Sequence, residues 1–268
     1  MVCCSRCFVS PQMDSLGVVL SQELVKFNKV LAKMNTSLSS LQKAIEGLEL
    51  MSDELDGMYV DFRNNKVPAN WTTVSYASLK PLSNWVLDTQ ERCEFMRNWL
   101  KEGCPNAFPL YLFFFPQGFL TGALQNYARK HMLPINTLDF GFNVLEGDGD
   151  DDRSNDHEDI MEPPEDGVII YGIHVQGMRW DGGNNCLEDS KKGEMFSVLP
   201  PIHFLPARDR KAKEGCYVTP VYKTTARAGS LSTTGTSTNY VVAVELPSAH
   251  SQLHWILNGG AGILNLDV

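Results

Sequence analysis

The stretch FLTGALQNYARKHMLPINTLDFGFNV, residues 119–144, contains a change of apolar period that decides the fold class. In its first half, apolar residues lie three and four positions apart, which predicts an amphipathic helix over Phe119–Met132. The basic residues Arg129–His131 suit the negative, C-terminal end of that helix. From Leu138 to Val144 apolar residues alternate with other residues, which is the period of a strand. The sequence therefore predicts a helical part followed by a β part.

Upstream of this stretch, apolar residues recur from Leu20 to Leu48 in alternating steps of four and three. A coiled coil would show this spacing, but Asn35–Ser37 and Gly47 interrupt it, and such residues favour caps and breaks. We therefore predict two or three shorter helices packed in a bundle. Further helices are predicted over Ser52–Asn64 and Ser83–Lys101, with Gly103 placed to end the latter.

Downstream, the period of two continues in short runs that are separated by clusters of Gly, Pro, Asn and Asp. The runs are Leu138–Val144, Ile169–Val175, Tyr217–Lys223, Tyr240–Leu246 and Ile263–Val268. Six or so short strands without intervening helices favour an antiparallel sheet that closes into a barrel, because closure removes exposed edges. The predicted fold is α+β, an N-terminal helical bundle followed by a small antiparallel six-stranded β-barrel.

These patterns also predict the division of the chain. Residues 1–13 are expected to be a frayed, disordered terminus, or residues that are present only because of where the boundary of the chain was placed. Residues 14–135 form the predicted helical subdomain, and residues 136–268 form the predicted β-barrel subdomain. The barrel subdomain carries an acidic disordered insertion at residues 146–166.

The formal net charge of −9 is concentrated in that insertion. Residues 146–166 contain eleven acidic residues and one basic residue, Arg153, so the rest of the chain is nearly neutral. The segment has few apolar residues, which predicts a solvated loop without stable order. A calcium loop is the alternative. Counting from Asp148 or Asp150, however, the sixth position falls on Arg153 or Asn155 instead of the Gly that the calcium-binding turn requires.

Composition and cysteine usage indicate a soluble intracellular protein. Apolar residues make up 43% of the chain and charged residues 21%, as in globular proteins. The longest apolar run, Leu110–Phe115, is too short to cross a bilayer, and the N-terminus does not resemble a secretory signal. Seven cysteines in 268 residues suggest reduced thiols rather than a disulfide framework.

Motifs for catalysis or cofactor binding are missing from the sequence. It contains no Gly-x-x-x-x-Gly-Lys-Ser/Thr phosphate loop, no His-Glu-x-x-His and no Gly-x-Ser-x-Gly. The Gly-rich segment Gly229–Gly235 lacks the Lys and precedes a predicted strand. Its Ser/Thr cluster, residues 230–238, could accept phosphate groups but is interpreted as a turn between strands. We predict no catalytic residues and no cofactor.

Two groups of residues are of types that bind metal ions, but neither has the pattern of a metal site. His250 and His254 would align on a helix, but no carboxylate lies close to them along the sequence, so a surface pair is preferred to a metal site. Cys3, Cys4 and Cys7 could be soft ligands, yet a structural zinc site needs four ligands and no fourth lies nearby. The sequence therefore assigns no metal site.

Nucleic-acid binding also has little support. The run Arg208–Lys213 is the only basic run, and it contains Asp209. A nucleic-acid surface needs a broader positive footprint with aromatic platforms. The run is interpreted as a solvated loop between strands.

Two long motifs carry a family resemblance. The first is Phe113–Gly122 (FFFPQGFLTG) with Leu124–Lys130 (LQNYARK), and the second covers Pro220–Thr224 (PVYKT) to Ser237–Asn239 (STN). Both resemble the C-terminal domain of dynein heavy chains of the axonemal type. Shorter upstream matches follow the family order, at Glu23–Leu31, Leu41–Ile45, Asn65–Pro68 and Leu79–Leu82. The resemblance runs from about Asp14 to the C-terminus. The sequence departs from the family at Glu146–Asp166, at the Cys-rich start and at Asn258–Gly260.

The resemblance implies a fold and a function. In the family this region follows the sixth AAA+ module, lies across one face of the motor ring and combines a helical part with a small β-barrel. It implies a non-catalytic regulatory domain that tunes motor output and has the AAA+ ring modules of the same heavy chain as partners. The microtubule motor complex is an indirect partner, no nucleic acid or membrane is involved, and the location is the axoneme of a cilium or flagellum. The Phe-Pro-Gln-Gly form at residues 115–118 looks more like inner-arm heavy chains.

The exposed Gln125, Arg129 and Lys130 of the helix Phe119–Met132 are the predicted contact with the ring, since they would complement an acidic neighbour.

Two other functions are alternatives to this one. One is a free-standing β-barrel adaptor that binds a peptide or ligand in the barrel mouth. The other is a hydrolase that uses the dispersed His and Asp residues.

The acidic insertion generates a first prediction. Replacing Gly147–Pro163 by a short Gly/Ser linker should keep the fold and shift the thermal midpoint by no more than about 5 °C, because the cost of closing a flexible loop varies slowly with its length. Thermal unfolding of both proteins with and without calcium measures this. A large loss of stability, or stabilisation by calcium in the parent only, would show that the segment is a structural site.

Overall fold

The computed structural model describes residues 14–145, 162–211, 213–231 and 237–267. Within these residues the fold has six α-helices, eleven short strands, and 3-10 helices at Leu110–Leu112 and Ile135–Thr137. The helices are α1 (Ser15–Ile45), α2 (Asp53–Arg63), α3 (Ala69–Thr72), α4 (Leu82–Glu102), α5 (Pro116–His131) and α6 (Gln252–Leu257). The strands are β1 (Ala107–Pro109), β2 (Leu138–Val144), β3 (Val168–Tyr171), β4 (His174–Gln176), β5 (Arg179–Asp181), β6 (Cys186–Glu188), β7 (Ser197–Val198), β8 (Ile202–Arg208), β9 (Cys216–Thr224), β10 (Tyr240–Pro247) and β11 (Ala261–Asn265).

Some of the sequence predictions fall outside the described residues. These are the terminus at 1–13, most of the acidic insertion, and the central part of the Ser/Thr cluster. The division at residues 135 and 136 stays a prediction.

Helix α1 is one continuous helix of 31 residues, so the prediction of two or three shorter helices in this region was wrong. The polar residues at 35–37 do not break it, because Ser37 finds partners without leaving the helix. Its hydroxyl donates to the carbonyl oxygens of Lys33 (2.8 Å) and Met34 (3.1 Å) and accepts the indole N–H of Trp71 (2.9 Å). The hydroxyl therefore bonds back to the preceding turn of its own helix, and Trp71 adds a tertiary donor.

The other predicted helices are confirmed with small changes of boundary. Helix α2 begins after Ser52, whose hydroxyl accepts the N–H of Leu55, and α4 ends at Gly103 with φ of 101°. Helix α5 starts at Pro116, which suits a first helical position because its missing N–H would have no partner there. The helix ends at Met132, which adopts a left-handed conformation with φ of 54°.

The strands form separate open sheets, so the predicted six-stranded antiparallel barrel was wrong. A four-stranded sheet has the order β1-β3-β8-β2, a five-stranded sheet has the order β10-β9-β11-β4-β7, and β5 and β6 form a two-stranded sheet. Two of the pairings are parallel, β1 with β3 and β9 with β11. Within the described residues none of the three sheets closes on itself.

Gly172 explains why one predicted strand became two. The run Ile169–Val175 is divided by this glycine, whose φ of 74° is a conformation that other residues rarely adopt. The backbone turns there, so β3 joins the four-stranded sheet and β4 joins the five-stranded sheet.

Helix α5 packs against β2 and β10, which are edge strands of the two sheets. Covering edges with a helix is an alternative to closing a barrel.

Strand β8 pairs with both β2 and β3 and was not predicted. Its side chains alternate between buried and partly buried positions, as a strand requires, but Pro206 within the run is a signal against a strand. Strand β3 pairs only with Ile202–Phe204, so Pro206 has a ladder partner on one side alone, Phe140 of β2. This arrangement tolerates the missing N–H of proline.

A buried arginine of α4 joins the helical part to the five-stranded sheet. The Arg92 side chain of α4 is fully buried, and its Nε donates to Asp88 Oδ2 at 2.8 Å. Its Nη2 donates to Asn265 Oδ1 of β11 at 2.8 Å, and its guanidinium carbon lies 3.8 Å from the centre of the Tyr76 ring. Lys80 also donates to Asp88, at 3.0 Å. Through Arg92, α4 and the C-terminal strand are held in one core.

The pKa of Asp88 reflects these contacts. Burial by itself raises the pKa of this carboxyl, but the charges and hydrogen bonds of Arg92 and Lys80 outweigh burial and hold the pKa below its ordinary value. A carboxyl whose pKa is lowered by folding stabilises the protein above its unfolded pKa, and this stabilisation is lost as the pH falls through the folded pKa.

No helix among the described residues has both the length and the apolar character needed to cross a membrane.

The variant Asp88→Asn tests the ion pair. It should lower the free energy of unfolding at neutral pH by about 3–5 kcal/mol, because it leaves the Arg92 guanidinium buried without its counter-charge. Urea unfolding measures this. The parent should also lose stability below about pH 4, and the variant should lack that component. The control is Lys33→Ala, which breaks an exposed pair with Glu54 and should change little. Equal losses in the two variants would contradict the assignment.

Candidate functional site

The first motif, Phe113–Lys130, is anchored by a buried carboxylate of α1. Glu23 is 2% exposed, and its two oxygens accept the backbone N–H groups of Phe114 (2.7 Å) and Phe115 (3.1 Å). Burial raises the pKa of Glu23, and the two N–H groups and the Lys26 charge offset this only in part. These N–H groups immediately precede α5. The carboxylate thus supplies acceptors for two partly buried backbone donors that helix hydrogen bonds do not reach.

Further contacts fix the orientation of α5. Gln117 donates its side-chain N–H to the Tyr240 carbonyl of β10 at 2.6 Å. Asn126 accepts the Ser15 backbone N–H at 2.7 Å, at the start of α1. Gly122 lets α1 approach closely, because a Cβ at this position would lie 2.9 Å from Val19 Cγ2. The residues that make the motif recognisable therefore position one helix between α1 and β10.

The second motif, residues 220–239, forms strand β9 and the turn that follows it. Asn239 holds the turn, because its side-chain oxygen accepts the Thr224 N–H (3.0 Å) and its side-chain nitrogen donates to Thr224 Oγ1 (2.9 Å). Arg227 has a positive φ of 53° and donates to Gln176 Oε1 of β4 at 2.6 Å. The described residues of the Ser/Thr cluster thus belong to a turn, as their sequence indicated.

The predicted contact residues Gln125, Arg129 and Lys130 are all exposed on α5. Lys130 is already engaged, because its ammonium group donates to Asp166 Oδ1 at 2.8 Å and to the Glu165 carbonyl at 2.9 Å. The hydrogen bond from Lys130 is the main cause that lowers the pKa of Asp166. The end of the acidic insertion is thereby fastened to the C-terminal turn of α5. Gln125 and Arg129 remain the stronger candidates for an external contact.

The basic run begins at Arg208, the last residue of β8, and its described residues after that strand precede β9, but they are not simply solvated. Arg210 forms an ion pair with Glu245 of β10, and its guanidinium carbon lies 5.2 Å from the centre of the Phe142 ring. One of its charges is therefore used within the fold. This is a second reason against a nucleic-acid surface.

Sequence reasoning missed α6, which carries exposed apolar side chains. The helix is anchored by Trp255, which is fully buried and donates its indole N–H to Ser248 Oγ at 2.7 Å. Leu253, Ile256 and Leu257 are exposed on the same short helix. A six-residue helix is too short for a clear apolar period, and the only sequence signal was the spacing of His250 and His254. In the structure these histidines lie at the start of α6.

An open apolar hollow of 320 Å³ lies at the C-terminal end of α1. It is lined by Leu38, Leu41, Ile45 and the flanking Gln42 and Glu46. Ile45 is exposed, as are Leu48 and Leu50 just beyond the helix. The lining offers mainly aliphatic surface, which suits packing against another protein segment better than binding a polar cofactor.

Comparison with known proteins identifies relatives across nearly the whole sequence. Residues 6–264 match the model of the family described as the C-terminal domain of the dynein heavy chain. The protein is 44% identical over 255 residues to dynein axonemal heavy chain 1 of Rattus norvegicus. It is 43% identical over 267 residues to dynein axonemal heavy chain 6 and 41% over 256 residues to dynein axonemal heavy chain 3, both of Homo sapiens. Each alignment covers 95% of this chain and 6% of the relative, so the chain spans a small part of their length.

The variant Glu23→Ala tests the anchoring of the first motif. It should destabilise the fold by about 2–5 kcal/mol, because two partly buried N–H groups lose their acceptor. Glu23→Gln should cost less, since its oxygen still accepts from Phe114 and the charge is no longer buried. The control is Lys43→Ala, which removes the cation of an exposed pair with Glu49 at the other end of α1 and should change little. Chemical denaturation of the three variants gives the order, and an unchanged stability of Glu23→Ala would refute the anchoring role.

Proposed function

This chain belongs to the family formed by the C-terminal domains of dynein heavy chains, and from that premise we propose that it is a non-catalytic regulatory and structural domain of an axonemal dynein heavy chain. It packs on the AAA+ motor ring of the same heavy chain and tunes ATP-driven motility on microtubules. Its place of action is the axoneme of a cilium or flagellum. The observation that carries the proposal is the 41–44% identity to axonemal heavy chains across 95% of this chain.

A non-catalytic role agrees with the chemistry of the sequence. The protein has no Gly-x-x-x-x-Gly-Lys-Ser/Thr loop, so it lacks the backbone cradle and the Lys that hold nucleotide phosphates in ATPases of that class. The conspicuous polar side chains of the described part, Glu23, Asp88, Arg92 and Asn239, are used to connect helices and strands. Hydrolysis is assigned to other parts of the heavy chain.

The exposed surface supports packing against the rest of the heavy chain. The relatives are many times longer than this chain, so most of the heavy chain lies outside it. The hollow at the end of α1 and the exposed face of α6 present aliphatic side chains that have no cover within the described fold. Such surfaces favour a partner that stays in place, as a covalently linked module would.

Helix α5 supplies the polar part of the proposed contact. Gln125 and Arg129 are exposed one turn apart, so they lie on one face of the helix. Lys130 forms an ion pair with Asp166, so it links this face of α5 to the end of the acidic insertion. An acidic surface on a ring module would complement Arg129.

The inner-arm assignment rests on the Phe-Pro-Gln-Gly form at residues 115–118 and stays a prediction.

The alternative function, a free-standing adaptor, is no longer supported, because it required the mouth of a closed barrel and the described sheets are open.

Charge reversal at Arg129 tests the proposed contact. In the full-length heavy chain, Arg129→Glu should change velocity, force or run length while basal ATP hydrolysis continues. The contact must differ between ring states to have an effect, and for one exposed charge we expect at most about a fivefold change in the balance of states. Arg129 is preferred to Lys130, because Lys130→Glu would also break the pair with Asp166.

The control is Lys66→Glu, which makes the same charge change at an exposed position after α2 and should leave motility at the parental level. Single-molecule motility and basal ATPase are measured on the same preparations. Unchanged motility in Arg129→Glu would refute the contact. Loss of all ATPase activity in a heavy chain without Asp14–Val268 would show a mainly structural domain and refute the tuning role.

A further inference from the structure

Three metal-ligand side chains meet where β6 and α6 come together. One ligand atom from each of Asp189, His250 and His254 lies within 4.8 Å of the other two. Nε2 of His254 is 2.7 Å from Oδ1 of Asp189, and the two imidazole rings stack with centroids 4.2 Å apart. Asp189 and His254 are 65 residues apart in sequence, so the carboxylate missing from the sequence pattern is supplied by the fold.

The backbone explains how these groups are brought together. Leu187 of β6 forms a parallel bridge with Ser248, so Asp189 and His250, each two residues further on, lie beside each other. Ser248 Oγ accepts the N–H of His250 at 3.0 Å and the indole N–H of Trp255 at 2.7 Å. Ser251 caps α6 and places His254 in its first turn. The three side chains are therefore held by a bridge, a cap and a buried Trp.

The three side chains also have a neighbour in Asn258. Nε2 of His254 lies 2.7 Å from Asp189 Oδ1 and 3.1 Å from the Asn258 side-chain nitrogen, which is 3.4 Å from the same Asp189 oxygen. In the metal-free protein a proton on Nε2 that is donated to Asp189 accounts for the short distance. A cation would take the place of that proton, because a neutral imidazole nitrogen and a carboxylate oxygen each offer it a lone pair.

We propose that Asp189, His250 and His254 form a binding site for a divalent transition-metal ion of the Zn²⁺ class. Two imidazoles and one carboxylate are a ligand set that zinc accepts, with bonds of about 2.0–2.2 Å and therefore ligand atoms about 3.3 Å apart in a tetrahedron. The observed separations, from 2.7 Å to at most 4.8 Å, bracket that value. Rotation of the exposed Asp189 and His250 side chains is enough to reach it.

The site leaves one coordination position open and lies at the surface. Asp189 and His250 are exposed and His254 is partly exposed, so water or a donor from a neighbouring surface can fill the fourth position. The ion would tie the end of β6 to the first turn of α6 and thereby fix the helix that displays Leu253, Ile256 and Leu257. This inference does not depend on the proposed function.

Metal titration of the 268-residue protein tests the site. Because Cys3, Cys4 and Cys7 are also potential soft ligands, all three are first replaced by Ser in every protein compared. Zn²⁺ binding is followed by calorimetry, and Co²⁺ binding by its visible absorption. We expect one ion per protein molecule, and a loss of affinity of about tenfold or more in His250→Gln, His254→Gln and Asp189→Asn. Binding should weaken on acidification, because imidazoles must be neutral to coordinate.

The matched control is His131→Gln. His131 is also exposed and also faces a carboxylate, Asp166 at 3.1 Å, but it is not part of a cluster of three ligands within the described residues. Its replacement should leave affinity unchanged. Zinc should raise the thermal midpoint of the parent that lacks Cys3, Cys4 and Cys7, and not that of His250→Gln/His254→Gln, whose metal-free midpoint shows that it folds.

Two results would overturn the proposal. One is the absence of saturable Zn²⁺ binding in the parent that lacks the three N-terminal cysteines. The other is an affinity that the three ligand variants leave unchanged, or that falls equally in His131→Gln.

Discussion

The Arg92 guanidinium is the charge on which the joining of the helical and β parts depends. A fully buried cation must be paired, since an isolated one would cost several kcal/mol. One partner is local and one is distant: Asp88 comes from the preceding turn of α4 and Asn265 from the last strand. The ring of Tyr76 covers its face. The counter-charge is thus supplied within α4, and the hydrogen bond to Asn265 is made only where β11 lies against that helix.

Glu23 imposes a similar constraint on a smaller scale. Its carboxylate is buried at a cost, as its raised pKa shows, and it is compensated by two N–H groups at the entrance to α5. With the contacts of Gln117 and Asn126, this fixes α5 between α1 and β10. The helix packs against the edge strands β2 and β10 of the two larger sheets. A closed barrel was predicted from the strand period, but the described strands form open sheets.

Local patterns in the sequence were sufficient for most helices and several strands. The period of three and four and Gly103 predicted α2, α4 and α5 to within a few residues, because these signals act over one or two turns. The predictions failed where distant residues contribute to the outcome. Ser37 bonds to the preceding turn of its own helix and also to Trp71, and β8 tolerates Pro206 because its neighbour β3 is short. Parallel pairing of β9 with β11 joins residues about forty positions apart, and no local period encodes it.

The same distinction applies to the candidate sites. Gln125, Arg129 and Lys130 were recognisable because they lie on one predicted helix, yet the bond between Lys130 and Asp166 depends on where the backbone returns after the insertion. His250 and His254 were visible as a pair, but Asp189 becomes their neighbour only through the bridge between Leu187 and Ser248.

The residues that identify the family mainly hold the helices and strands of the domain together. Glu23, Gln117, Gly122 and Asn239 are explained by buried donors, close helix packing and a turn, so their presence reports the fold and not a contact. Under the proposed function, contacts with the rest of a heavy chain are expected on exposed groups that packing does not require. Among the described residues those groups are the free face of α5, the apolar side chains at the end of α1 and on α6, and Asp166 beside Lys130. Lys130 follows Arg129 directly, so its ion pair with Asp166 holds one carboxylate from the end of the insertion at the C-terminal turn of α5, where the proposed contact lies.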